Sequence, residues 1–328
     1  MSAAVCGVEL NACFPRVTVQ GFRPHALHGA DRCWTETNCY IDLWIEILHA
    51  LHLPPEAALG FAAAQDFEGD QFTFTKFPLE DLESLYGLKA QELAIYGPVE
   101  QHVLRQMARR RMCLVEVDAF FLPDTEGMSY RREHAKTTIA PNRLDPERRR
   151  VEYLHNATYA VAEGEDFDGL FQLGQDEGRP SIWPYVEFTT LEPVRRSQAA
   201  LRAIAWEVFA WHLTRRPTAN PIRAFQDAAP EQIEKLAGSE QAFQAYAFHN
   251  LRLLGANFEL LGSGLAWLQT DDPRAGLCRQ IAETAKTAQF QLARTVVGRK
   301  LGDFAQALDP AAAAWDQLFG AARARDAA

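Results

Sequence analysis

Apolar positions recur most regularly between Thr35 and Leu51, in TETNCYIDLWIEILHAL. Tyr40, Leu43, Trp44, Ile47, Leu48 and Leu51 follow the i, i+3, i+4, i+7, i+8, i+11 spacing of an amphipathic helix with one buried stripe. Asn38 is placed to cap that helix, and Asp42 falls in its first turn, where negative charge suits the dipole. Downstream the pattern shortens. A strand is expected at Arg16–Gly21, a second helix over LPPEAALGFAAAQ, and an acidic turn followed by alternating aromatics at Phe72, Phe74 and Phe77. A helix opens at Pro78, a strand is expected at Leu93–Pro98, and a further helix ends in the basic run ARRR. MCLVEVDAFFLPDT (Met112–Thr125) is the strongest strand signal. Ala135–Ala140 and Arg149–Val161, joined by PNRLDPER, predict an antiparallel hairpin, and a last strand is expected at Tyr185–Thr190. From Glu192 onward only long helical periods remain, punctuated by Pro and Gly. The expected class is α+β, with an antiparallel-sheet domain over 1–191 and an all-helical domain over 192–328.

Composition narrows the function classes. A formal net charge of −10 argues against a general nucleic-acid binder, and no apolar run approaches the ~18 residues of a membrane span. The amino terminus lacks the basic start and apolar core of a signal peptide. Six cysteines without CxxC pairs read as free thiols, and a cytoplasmic location is expected.

The first helix places Cys39 just after its cap, among backbone N–H groups that favour a thiolate and can hold a developing oxyanion. The plain alternative is a small buried hydrophobe at a helix start. A nucleophilic cysteine needs a base and a group that orients the base. His134 lies immediately before the strand AKTTIA. Asn156, on the expected second strand of the hairpin, falls where pairing would bring its amide beside that imidazole. Asp145, in the intervening turn, competes for the third role.

These segments carry a resemblance. Cys39 on its helix, VEVDAFFLPDT, EHAKTTIA and the LHNA strand resemble the papain-like architecture of bacterial cysteine acyltransferases and peptidases. The closer likeness is to the acyltransferase family typified by butirosin biosynthesis protein H. Across nearly its whole length, through TETNCYIDLWIEILHAL, DFEGDQFTFTKFPLEDL, VEVDAFFLPDT and HAKTTI, the chain resembles the bacterial family called domain of unknown function 1839. The resemblance implies Cys39 as nucleophile, His134 as base and Asn156 as orienting group. The donor would be the phosphopantetheine thioester of an acyl or aminoacyl carrier protein, and the acceptor a small amine or amino acid. No cofactor, metal, nucleic acid or membrane is implied. A hydrolase on the same scaffold, either a peptidase or an editing thioesterase, and a non-catalytic carrier-binding protein are the other readings.

One departure stands out. Papain-like enzymes often carry a glutamine about six residues before the cysteine, and here that position is Cys33. Oxyanion donors would then come from the Cys39 N–H with Asn38, Thr37 or Gln71. Asp66, Glu68 and Asp70 could hold the ammonium of an aminoacyl group, or form an ordinary acidic turn. Lys136, two residues after His134, could meet a phosphopantetheine phosphate. His49 and His52 have an i, i+3 spacing, but without acidic partners nearby they read as a solvated pair. Asp118, in an apolar strand, must lie at an exposed face or be paired.

Overall fold

The computed structural model describes residues 12–174, 183–236, 240–298 and 302–326. In chain order the elements are α1 (Cys39–Ala50), a 3₁₀ segment (Pro55–Ala64), α2 (Leu79–Tyr86), β1 (Ala90–Glu92), α3 (Val99–Met107) and β2 (Arg111–Asp118). They continue with β3 (Lys136–Asp145), β4 (Arg150–His155), β5 (Thr158–Glu163), α4 (Glu165–Leu170) and β6 (Val186–Thr190). Then come α5 (Gln198–Thr214), α6 (Pro221–Lys235), α7 (Glu240–Ala247), α8 (Leu253–Leu268), α9 (Pro273–Gly298), α10 (Gly302–Gln306) and α11 (Asp309–Asp326). The protein is α+β, with an antiparallel six-stranded sheet and a helical carboxy-terminal part.

Two compact units divide the chain, and neither is a single stretch. One comprises Met1–His25, Asp42–Leu53 and Tyr86–Arg195; the other comprises Ala26–Ile41, Pro54–Leu85 and Arg196–Ala328. Two early segments, Ala26–Ile41 and Pro54–Leu85, thus count with the helical unit. The division passes through α1. That helix is buried on every side rather than along one stripe: Ile41, Leu43, Trp44, Ile45, Glu46, Ile47 and Leu48 are all 0% exposed.

In the sheet unit the strand order is β1-β6-β2-β3-β4-β5, with every neighbouring pair antiparallel. Period-two alternation gives one face to the core. Cys113, Val115 and Val117 of β2, Ile139 of β3, and Val151 and Tyr153 of β4 pack with Val99, Val103 and Met107 of α3 and with Phe167 and Leu170 of α4. Several expected elements move. Arg16–Gly21 is not a strand, and the carbonyls of Pro15 and Val17 accept from the Arg143 guanidinium instead. The strand expected at Leu93–Pro98 lies earlier, as β1. PNR continues β3 rather than turning, with a register shift between Pro141 and Arg143, where a residue lacking an N–H is tolerated. The strand expected over Arg149–Val161 is two strands, broken at Asn156, which takes a left-handed φ of 46°.

In the helical unit, Phe225 of α6 gathers Phe67, Phe72, Tyr246 and Phe304 within ring-contact distance. Asp81 of α2 and His212 of α5 form a buried pair at 2.6 Å. The loop before α1 is tied to the long helices: Glu259 of α8 accepts the N–H groups of Cys33 and Trp34, and the Trp34 indole donates to Ala282 O of α9. Gly255 makes this possible. A Cβ there would lie 2.4 Å from the indole nitrogen. Gly255→Ala is expected to destabilise the fold by about 2 kcal/mol, the scale of overpacking in a filled core, read as a lower urea midpoint.

Candidate functional site

Cys39 is the first residue of α1. Asn38 caps the helix: its Oδ1 accepts the N–H groups of Tyr40 (3.1 Å) and Ile41 (3.0 Å), and its Nδ2 donates to Thr75 O (3.0 Å). The Asn38 amide, expected to face substrate, is thus committed to holding the helix start against the segment after the acidic turn. Two residues there escaped sequence reasoning. Lys76 Nζ sits 4.7 Å from the centre of the Tyr40 ring, next to Cys39, and Thr75 Oγ1 is buried without a hydrogen-bond partner. No periodic signal marks either residue.

The acidic turn is a tight loop closed by a bridge between Phe67 and Phe72. Asp66 Oδ1 accepts the Phe67 N–H, Glu68 N–H donates to Gln71 O, and Gly69 O accepts from Gln232 of α6. Asp66 is partly turned inward as a loop-closing group. Glu68, Asp70 and Gln71 are exposed, and the carboxylates of Glu68 and Asp70 make no hydrogen bond or ion pair among the described residues.

His134, in the sheet unit, is held by a different residue from the one expected. Its Nδ1 lies 2.5 Å from Asp118 Oδ2, and its ring stacks on Phe120 with centroids 4.5 Å apart and planes 16° from parallel. Asp118 is fixed in turn: Oδ1 accepts the N–H groups of Phe120 (3.0 Å) and Ala135 (3.3 Å). With the carboxylate ionised, Nδ1 carries the proton and Nε2 is left as the basic nitrogen. Nε2 has no hydrogen-bond partner among the described residues, and the side chain is 71% exposed. His134 lines an open cavity of about 420 Å³ with Lys136, Glu116, Trp183 and Tyr185. Lys136 points there but is paired with Glu116 at 2.8 Å.

Asn156 lies in the two-residue turn between β4 and β5, and its Oδ1 is buried without a partner. The displacement follows from β3 continuing through PNRLD: the strand ends at Asp145 rather than Ala140, and the next turn falls on Asn156. Asp145 ends β3, where it pairs with Arg148 and accepts its N–H, so it does not hold His134 either.

A second histidine–carboxylate pair lies on the inner face of the sheet. Asp124 accepts from His155 Nδ1 (2.6 Å), Tyr153 Oη (2.5 Å) and Thr158 Oγ1 (3.2 Å), and His155 Nε2 meets Thr137 Oγ1 at 2.8 Å. Thr–His–Asp is the order of a hydrolase triad. With Thr137 at 7% and His155 at 3% exposure, however, no carbonyl substrate reaches it, and its chemistry is that of a buried clasp.

Cys13, Cys33, Cys39, Cys113 and Cys278 form no disulfide among the described residues, and Cys6 lies outside them. Burial pushes the Cys13 thiol up to about 12 and raises those of Cys113 and Cys278; burial together with Glu259 raises Cys33. Among the described residues no three His, Cys, Asp or Glu side chains are grouped to hold a metal, and no helix is long and apolar enough to cross a membrane.

The chain is an α+β protein whose helical unit carries a cysteine opening a capped helix and whose sheet unit carries an exposed histidine clamped by an aspartate. The DUF1839 N-terminal domain matches residues 23–191 and the DUF1839 C-terminal domain matches residues 198–324; the chain belongs to the DUF1839 family. No curated protein matches the chain.

Proposed function

We propose that the protein is a cysteine-dependent acyltransferase that moves an acyl or aminoacyl group from a carrier protein's phosphopantetheine thioester to an amine. The observation that carries this reading is the His134–Asp118 pair: an imidazole fixed at one nitrogen by a positioned carboxylate, with its other nitrogen unengaged and the ring open to a cavity. The capped helix start at Cys39 supports it, as does the papain-like order of cysteine helix, strand and histidine.

In this scheme the imidazole takes the Cys39 thiol proton, and the sulfur attacks the thioester carbonyl. The carbon–sulfur bond to phosphopantetheine breaks, and its sulfur takes the proton from the imidazolium and leaves as the thiol, so the imidazole is neutral again. The amine then attacks the acyl-enzyme and gives its proton to the imidazole, the bond to Cys39 sulfur breaks to release the amide, and the imidazolium returns the proton to the Cys39 thiolate. Asp118 takes the orienting role first given to Asn156. In this scheme Lys136, whose ammonium is exposed, exchanges its Glu116 partner for the singly charged phosphodiester of the phosphopantetheine arm.

The test is to incubate the protein with an aminoacyl carrier protein and an amine, reading intact mass and products. The expected result is an acyl adduct on Cys39, absent in Cys39→Ala, and an amide product. Free acid in place of amide would assign hydrolysis. Tight carrier binding with no adduct would overturn the catalytic reading.

A further inference from the structure

A cavity of about 570 Å³ lies at the carboxy-terminal end of α1, walled by the irregular segment from Cys13 to Arg23. The wall is fixed despite its lack of regular structure. Asn142, fully buried on β3, accepts the Phe14 N–H at 2.6 Å and donates to Phe14 O at 3.2 Å, while its own carbonyl accepts from Cys13 N–H. Arg143, next on the strand, donates to Val17 O at 2.8 Å and Pro15 O at 2.6 Å. A volume of this size lies within the range of small-molecule sites, roughly 300–1,000 Å³.

The lining has two chemistries. Phe14 and Phe22 offer an apolar surface, and Arg16, Arg23, His49 and His52 offer donors. No carboxylate lines the cavity, although the chain as a whole carries a net charge of −10. The Arg16 guanidinium has no hydrogen bond or ion pair among the described residues, and Arg23 Nη1 donates only to the carbonyls of Gln20 and Phe22, so neither charge is neutralised.

Two features oppose an anion here, and both are weak. Glu46, one turn earlier on α1, is fully buried and accepts the His25 N–H, so it does not face the cavity. The negative end of the helix dipole is largely capped. Leu51, His52 and Leu53 N–H groups donate to Ile47, His49 and Leu48 carbonyls, and Arg195 donates to His52 O.

We propose that this cavity binds a small organic anion, with its phosphate or carboxylate held by Arg16 and Arg23 and its apolar body seated against Phe14 and Phe22. The site is independent of the acyl-transfer reading, and most of its wall, Cys13 to Phe22, precedes the residues that the family match covers.

Calorimetric titration of the full chain with phenyl phosphate, 3-phenylpropionate, 3-phenylpropan-1-ol and inorganic phosphate tests it. The two amphipathic anions are expected to bind at least about tenfold more tightly than the neutral alcohol or phosphate alone, the scale of one charge-assisted contact or one buried ring. Their relative affinities assign phosphate or carboxylate as the preferred head group. Arg16→Glu, a change at a side chain without partners, is expected to weaken both by at least about tenfold while leaving the urea midpoint unchanged. Exposed Arg105→Glu serves as the charge control and should change neither. Absence of binding by both anions, equal binding of the alcohol, or an Arg16→Glu variant that binds as well as the parent would overturn the proposal.

Discussion

Asp118→Asn is expected to lower acyl transfer by about 10³–10⁴-fold with little change in stability, the scale of removing the carboxylate that sets a catalytic histidine's tautomer. The substitution is nearly isosteric. Asn Oδ1 can still accept the Phe120 and Ala135 N–H groups that Asp118 Oδ1 holds now, so the chain turn after β2 survives. What changes is the atom facing His134 Nδ1. An amide N–H₂ there cannot accept, and the ring responds by moving its proton to Nε2. The nitrogen that must take a proton is then already protonated. Rate and fold should therefore separate: the unfolding free energy from urea titration stays within ~0.5 kcal/mol of the parent, as for substitutions that break no buried network. Nitrogen-15 spectra of histidine-labelled protein read the tautomer directly and need no substrate. They should show His134 protonated at Nδ1 in the parent and at Nε2 in the variant. An unchanged tautomer would remove Asp118 from the positioning role, whatever the rate does.

What was legible in the chain, and what was not, follows the range of the interactions. The α1 start could be read because its determinants are local: Asn38 caps residues two and three further on, and the stripe lies within four turns. His134 could be read because it sits at the mouth of a strand. Asp118 could not be assigned to it. VDAFFLPD looks like one continuous apolar strand, yet the strand stops at Asp118, whose carboxylate caps a 3₁₀ turn at Ala119–Phe121 and reaches a partner sixteen residues away. The Asn156 misplacement has a different origin. Pro141 and Asn142 carry the composition of a turn, but Asn142 is the buried anchor of the Phe14 segment and Pro141 lies where the register shifts. Tertiary demand converts a local turn signal into strand, and the register error carries along the hairpin to Asn156. The early segments in the helical unit were missed for the same reason. Nothing near Trp34 in sequence announces its hydrogen bond to Ala282, 248 residues on.

The buried clasp gives the largest expected effect on stability. Asp124→Ala should cost about 4 kcal/mol at neutral pH, the range for removing one member of a buried charged hydrogen-bond network. Three donors converge on this carboxylate: His155 Nδ1, Tyr153 Oη and Thr158 Oγ1. Tyr153 is 0% exposed and His155 is 3% exposed, so water cannot replace the lost acceptor without opening the sheet's inner face. The pH dependence has a definite sign. Burial by itself would raise the Asp124 carboxyl, but the hydrogen bond and charge of His155, with the Tyr153 hydroxyl, outweigh it and hold the group below its ordinary value of 3.8. A depressed folded value means the carboxylate's contribution is fully present above the unfolded value of about 4 and is lost as pH falls through the lower folded value. The parent and Asp124→Ala should therefore differ by a constant amount from pH 5 to pH 7, on the order of the 4 kcal/mol above, and converge only under more acid conditions. Urea titrations at pH 7, 5 and 3 measure this. A gap that changes between pH 7 and 5 would overturn the assignment of the coupling to the carboxylate. Thr137→Val, which removes only the hydroxyl at Nε2, should cost less, about 1 kcal/mol, because the carboxylate still holds the ring from the other side.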